Sequence, residues 1–434
     1  MKTRFIERIY IGILLTIFIG IVVHAPLSVW LGTMMPGYEL LIKSWKELLM
    51  VVATPLGLIL VSRHHLWSEL WQDWLFRAVV AFAALHIILL AIIWNGLNPA
   101  LAGLSIDLRW LLYFGLVYVA LRIWPSYRTI FLKLGMIGAL IVGVFALLQV
   151  FVLPRDVLAS IGYNKDATIA PYLTVDKNPD YVRINSTLRG PNPLGAYAVV
   201  ILGILMAGAL LASKQHKGYK FGAFVISAGM AAALWASYSR SALGAFVVTV
   251  GIIIAVTIGR KLSRKWWIGL AILICAIGGS LVVGRSSEFV SNVLLHENPT
   301  GGSAISSNEG HASSLVDGFT RMIHQPLGGG VGSTGSAALY GDRPLIIENY
   351  YLFVAHEVGW VGIVLFVTIF GLVLVRLWKL HHDYLALGLF ASGISLALVG
   401  LIQPVWADDT VAIVWWGLAA IAIGGQDGKK RTRN

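Results

Sequence analysis

Residues 104–153 read LSIDLRWLLYFGLVYVALRI (104–123), WPSYRT (124–129) and IFLKLGMIGALIVGVFALLQVFVL (130–153). Each apolar run meets the ~20 residues a helix needs to cross a bilayer. Between and beside them lie Arg122, Arg128 and Lys133. This unit repeats along the chain and predicts about twelve spans on the same length criterion. They are Tyr10–Leu31, Trp45–Val61, Leu75–Trp94, Leu104–Ile123, Ile130–Leu153, Pro193–Ala212, Lys220–Tyr238, Ser241–Gly259, Trp266–Gly284, Asn349–Leu377, Tyr384–Pro404 and Thr410–Gly424. The runs are continuous and not alternating, which excludes a β-barrel. A chain 57% hydrophobic and 12% charged is an all-α integral membrane protein and not a soluble globule.

Basic residues cluster in every second gap: Lys2/Arg4/Arg8, Arg63/Arg77, Arg122/Arg128/Lys133, Lys214/Lys217/Lys220, Arg260/Lys261/Arg264/Lys265, Arg376/Lys379 and Lys429/Lys430/Arg431/Arg433. Such gaps face the cytoplasm, so both termini are expected inside. The expected organisation is spans one to five in 1–153, an outer loop in 154–192, spans six to nine in 193–284 and a second outer loop in 285–347. The last three spans follow in 348–425, with a basic tail in 426–434. The net charge of +12 then sits on hairpins facing anionic headgroups, and nucleic acid is not expected as a partner. Cys275 lies within an apolar span and is expected only to pack. The first span has a basic start but no small-residue cleavage site, so it is expected to be retained.

The arginines that break the charge rule point to function. Arg189, in RINSTLRGPNP (183–193), precedes the sixth span and is fixed by a Gly-Pro-Asn-Pro turn. Arg240, in ASYSRS (236–241), occupies a tight link on the outer side, where a cation at membrane depth marks a cavity or partner. In the second loop, Leu315, Phe319, Met322 and Ile323 predict an amphipathic helix over His311–Ile323. His311, Ser314, Gly318 and Arg321 share its opposite face, and the apolar stripe is expected to rest on protein or lipid. Gly330–Gly335 fits G-x-G-x-x-G, but no strand precedes it, so a dinucleotide site is rejected and an anion nest of backbone N–H groups remains. A single long helix is expected from Asn349 to Leu377, with Glu348 at or beside its cap and Asn349 and His356 on one face. Asp408-Asp409 alone is weak evidence for a metal, and no His/Cys cluster has metal-ligand spacing.

Taken in order, these pieces resemble the O-antigen ligase / O-antigen polymerase superfamily of bacterial envelopes. The resemblance rests on Arg189-Gly190-Pro191-Asn192-Pro193, Ser239-Arg240-Ser241-Ala242-Leu243-Gly244, and Arg321 with Pro326–Gly332. It ends with Glu348-Asn349-Tyr350-Tyr351-Leu352 and Glu357-Val358-Gly359. It implies a GT-C-like helical membrane glycosyltransferase of the bacterial inner membrane, with two long extracytoplasmic loops. The implied donor is an undecaprenyl-diphosphate-linked glycan, the acceptor a glycan or lipid hydroxyl, with membrane lipids around both. Neither metal nor cofactor is implied. The resemblance puts Arg189, Arg240 and Arg321 on the diphosphate. It puts a His on the acceptor hydroxyl, where this chain has Glu348 before Asn349. Glu348 and His311 are the candidates for the base, with Asn349 and His356 in support. A multi-span transporter or flippase is the alternative from another class.

Overall fold

The computed structural model describes residues 2–175, 178–211, 217–259, 287, 290–291, 307–342 and 344–431. Among them, nine helices are long and apolar enough to cross a membrane, and Lys220–Ala236 and Tyr384–Val399 are shorter apolar helices. The expected span Trp266–Gly284 lies outside the described residues.

The first span is α1 (Lys2–Gly20), a short 3-10 turn (Ile21–Val23) and α2 (His24–Met34). After α3 (Glu39–Lys43), α4 (Trp45–Arg63) and α5 (Trp67–Gln72) come α6 (Trp74–Ile92), α7 (Leu97–Ile123) and α8 (Arg128–Phe151). A two-stranded antiparallel hairpin, β1 (Leu173–Val175) and β2 (Asn178–Arg183), lies in the first long loop. Then follow α9 (Pro191–Leu211), α10 (Lys217–Ala236) and α11 (Arg240–Thr257). The second loop holds α12 (Ser307–His324) and α13 (Gly335–Ala338). The chain continues as α14 (Tyr350–Lys379), α15 (Tyr384–Val399) and α16 (Asp409–Arg431).

The least hydropathic span is the most enclosed. Residues Asp409–Gln426 of α16 are 94% buried, against 28% for Trp74–Ile92. A helix with neighbours on every side needs small residues for close approach more than it needs lipid-soluble ones. Gly417 accordingly packs on the Tyr113 ring and Gly424 on the Tyr118 carbonyl, both on α7. Trp415 and Trp416 of α16 meet Trp110, Trp406 and Phe370 in one aromatic core, which Phe366 joins through Trp110 and Phe370. Elsewhere helices touch backbone to backbone: a Cβ on Gly229 of α10 would lie 2.6 Å from Gly143 Cα of α8. Gly388 of α15 meets the Ile204 backbone of α9 in the same way.

One end of the bundle is closed by ion pairs from the basic gaps. Arg122 lies 2.9 Å from Glu69, Arg128 lies 2.5 Å from Asp383, and Arg376 pairs with Asp73. These arginines bind helices together and are not simply available to headgroups. Asp73 also caps α6, accepting from Leu75 N at 2.8 Å, and takes the Tyr118 hydroxyl at 3.0 Å. We call this the basic end, and the opposite one the loop end.

The expected straight helix from Asn349 to Leu377 is broken. Val358 (φ −131°, ψ 19°) and Gly359 (φ +69°, ψ −169°) leave the helical region within α14. Backbone groups freed inside a bundle need other partners. The second loop supplies them: Gly329 N donates to His356 O (2.6 Å), and Trp360 N donates to Pro326 O (3.0 Å). Gly359 has room only for hydrogen there, since a Cβ would stand 2.4 Å from Pro326 O.

Candidate functional site

The first loop returns to the bundle through a buried stretch. Asn185, Ser186, Thr187 and Leu188 are all buried. Ser186 Oγ donates to Val142 O and its N–H to Gln149 Oε1, both at 2.8 Å. Arg189 emerges exposed from this rigid base. The α10–α11 link lies alongside: Ile184 N donates to Ala236 O at 3.1 Å, and Tyr181 meets Tyr238 edge-on at 6.3 Å. Arg240, half-buried, is the first residue of α11, behind Ser239 as N-cap. Arg183 welds these parts. Its Nε donates to Ser237 O (2.8 Å) and its Nη2 to Asn192 Oδ1 (2.5 Å). Arg183 lies in the same RINSTLRGPNP stretch as Arg189 but is not among the expected diphosphate ligands. Its signal was the same as that of Arg189, an arginine in a gap where the charge rule wants none.

Arg189 also reaches the second loop, donating to Ser336 Oγ at 3.4 Å. That loop is seated by Glu357. Its carboxylate accepts from Thr334 N at 2.7 Å and from Gly332 N, with Ser333 N contributing. The glycine-rich run is therefore the expected nest of N–H groups, and the anion in it is the chain's own side chain. Asn95, between α6 and α7, holds the loop from the other side through Gly329 O (2.9 Å) and Val331 O (3.3 Å).

Helix α12 covers the start of α14. Its Gly318 packs on Ile347 and Leu352, and Ser314 Oγ accepts from Glu348 N at 3.2 Å. The polar face is turned toward the protein, whereas Leu315, Val316, Phe319 and Ile323 point away from it and are exposed. Of the expected stripe, Met322 is half-buried and packs on the core, while Leu315, Phe319 and Ile323 are exposed among the described residues. Arg321 lies on the covered side, within 2.9 Å of Asp317 and close enough to His356 for the two to repel when both are charged. His356 is buried beside Gly329, and its Nδ1 has no hydrogen-bond partner among the described residues. The side chain of His311 lies outside the described residues. Glu348 is half-buried and is not the helix cap. Asn349 is: its Oδ1 accepts from Tyr351 N (2.9 Å) and Leu352 N (3.0 Å), and its Nδ2 donates to Leu401 O (2.8 Å). Asn349 is thereby committed to structure, while Glu348 is spared that duty.

Charged residues that interrupt individual apolar spans of the sequence form a second cluster. Asp409 Oδ2 lies 3.1 Å from both His24 Nε2 and Lys46 Nζ. Lys46, 2% exposed, also lies 3.3 Å from Glu47 Oε1 and donates to Lys43 O at 3.1 Å. Arg109 lies 3.6 Å from Glu47 and 4.0 Å from Asp409, and donates to Ala407 O. Trp45 Nε1, which can only donate, points at His24 Nδ1 (3.0 Å), while His24 Nε2 faces both Asp409 Oδ2 and Lys46 Nζ at 3.1 Å. Two cations and two carboxylates thus balance inside the bundle, as buried charges must. Asp408, just outside the last span, borders this cluster. Burial, and then the neighbouring Asp409 carboxylate, push its carboxyl up to about 6, against the pull of Arg189 and Arg109. Arg189 therefore stands between the cluster and the second loop.

The structure brings Arg189 to the second loop, Arg240 to the first, Arg321 to His356, and Glu348 to α12. Among the described residues, no group of three or more His, Cys, Asp and Glu side chains could hold a metal ion. Two apolar cavities, of about 320 and 260 Å³, lie among the spans away from these arginines. Fold and site together define a polytopic helical membrane protein with a polar, arginine-bearing loop end. No known family model matches the chain, and no curated protein matches it either.

Proposed function

We propose that the chain is a membrane glycosyltransferase that moves a glycan from an undecaprenyl-diphosphate carrier to an acceptor hydroxyl. It would sit in a bacterial inner membrane, with both termini cytoplasmic and the loop end outside. The observation that carries the reading is the bracing of Arg189, Arg240 and Arg321 on three separate segments at the loop end. Holding cations on rigid backbone is expensive unless an anion is to be met there. Guanidinium forks suit a diphosphate, binding its oxygens in pairs and stabilising the charge that grows as it leaves. Two of the three guanidinium groups have side-chain partners, Arg189 donating to Ser336 Oγ at 3.4 Å and Arg321 to Asp317 Oδ2 at 2.9 Å.

In the proposed reaction the acceptor oxygen attacks the anomeric carbon. The bond from that carbon to the diphosphate oxygen breaks, and its electron pair stays with the diphosphate. Glu348 takes the hydroxyl proton; His311 is the alternative base. His356, beside Arg321, supports the pocket, and Asn349 fixes the helix start next to Glu348. The test is a cell-free assay with a carrier-linked glycan, scored for acceptor-linked product in the presence and absence of EDTA. Transfer should survive the chelator and be lost in Arg240→Ala. Arg240→Lys should rescue poorly, because an ammonium lacks the planar fork.

The buried His24–Lys46–Glu47–Arg109–Asp409 cluster favours the second reading, a transporter or flippase, since charges inside a bundle also line ion and substrate paths. Substrate uptake by reconstituted vesicles, with no transfer product, would select it.

A further inference from the structure

We propose that the apolar slot between α4, α6 and α7, floored by α5, holds one acyl chain of a phospholipid from the leaflet at the basic end, with Arg77 on the lipid phosphate.

The slot has a volume of about 260 Å³. Four polar side chains belong to its wall, and each is already served by the protein. Tyr10 donates to Leu116 O (2.7 Å), Thr54 to Met50 O (2.8 Å), Tyr118 to Asp73 Oδ2 (3.0 Å) and Trp67 Nε1 to Ser62 Oγ (2.8 Å). What remains for an occupant is hydrocarbon surface. Water needs polar partners to stay in a cavity, so the slot suits an apolar chain. Gly115 of α7 keeps it open, since a Cβ there would meet no atom within 4 Å.

Position and length decide which chain. Helix α7 starts beside Asn95, which holds the second loop, and ends beside Arg122 at the basic end. It lines the slot from Leu108 to Val119. At 1.5 Å per residue this stretch is about 16 Å, or half of the ~30 Å hydrocarbon core. The slot therefore spans one leaflet, from the basic end to mid-membrane. A lipid of the opposite leaflet would reach it only with a chain longer than its own half of the bilayer.

The floor marks the headgroup level. Helix α5 is tied to the basic end by Glu69, 2.9 Å from Arg122. Its Trp67 and Leu70 line the slot, while Trp71 and Trp74 are exposed, as rings at a membrane–water boundary are. Arg77 is exposed, and unlike Arg122, Arg128 and Arg376 it has no carboxylate partner among the described residues. It is nonetheless held in place. Its Nε donates to Trp71 O, and its guanidinium carbon lies 4.9 Å from the centre of the Trp74 ring. Trp71 in turn packs edge-on at 5.3 Å against Phe76, part of the slot wall. A braced guanidinium at the basic end of a leaflet-long slot matches a phosphate that carries a tail. The proposal is independent of the transfer reaction.

The test uses the full chain in detergent and native mass spectrometry with dioleoyl phosphatidylglycerol. The parent should retain one phospholipid per chain under activation that strips the others. Gly115→Phe fills the slot and should lose that lipid. If this variant does not fold, Ala83→Phe on the α6 wall takes its place. Arg77→Gln leaves the slot open and should weaken binding by about tenfold, the least that a charged hydrogen bond contributes. Dioleoylglycerol has the chains without the phosphate, and should bind the parent as weakly and be indifferent to Arg77→Gln. A parent that retains no phospholipid overturns the proposal. So does a filled slot that retains it like the parent, an Arg77→Gln affinity equal to the parent's, or preferential retention of undecaprenyl phosphate.

Discussion

Replacing Gly359 by alanine tests the joint between the second loop and the broken helix. At φ +69° and ψ −169° the backbone sits where almost only glycine is found, and holding another residue there costs about 1–3 kcal/mol. The new Cβ would also stand 2.4 Å from Pro326 O and 2.7 Å from the Leu327 carbonyl carbon. Both are backbone atoms that cannot swing aside as a side chain would, and such overpacking costs about 1–3 kcal/mol more. A combined cost on the order of 3 kcal/mol shifts the local opening equilibrium about a hundredfold, at about 1.4 kcal/mol per factor of ten. The amides of Gly329 and Trp360 report this opening, since their hydrogen bonds cross the break. Their hydrogen exchange should accelerate by about that factor, while amides within α9 keep their protection. Unchanged protection at both would refute the view that the loop is what mends the break.

Three further outcomes are expected. Glu348→Gln should lower transfer about 10²–10⁴-fold, the usual contribution of a general base, with donor binding retained, and turnover equal to the parent would move the base elsewhere. At the basic end, burial raises the Asp73 carboxyl, but the hydrogen bond and charge of Arg376, with Leu75 N and Tyr118, outweigh it, leaving it below the usual carboxylate range. A depressed carboxyl stabilises the fold above its unfolded value of about 3.9 and ceases to do so as pH falls through the folded one. Asp73→Asn should therefore lower the melting temperature at pH 7, by an amount that shrinks as pH falls below the unfolded value and through the folded one, and a deficit that stays constant with falling pH would contradict the ion pair's role. A spin label on Phe319→Cys should be relaxed by lipid-soluble oxygen more than by a water-soluble nickel complex if the exposed stripe of α12 lies in the bilayer.

Much of this architecture could be read from the order of apolar runs and basic gaps, because each long span must satisfy its own backbone within one stretch of chain. The spans from Trp45, Leu75 and Pro193 appear within a few residues of their expected bounds. The break at Gly359 was not legible. Gly is common within spans, and only Pro326 and Gly329, some thirty residues earlier, make a left-handed residue worthwhile there. Lys46, Glu47, Asp107 and Arg109 are each a charge within one apolar run of the sequence. Their partners arise from packing between α2, α4, α6, α7 and α16, a long-range property that no local window contains. Glu357 was noticed and so was the nest, but their union required the helix break that places one against the other.

The enclosure of α16 bears on how the chain is made. Helices emerge from the ribosome in order, and this one comes after every other described helix. Until it arrives, Lys46 and Arg109 lack Asp409, and the aromatic core lacks Trp415 and Trp416. The charge balance of α4 and α7 and the packing of the aromatic core are thus settled only when α16 joins them, however early their own helices form.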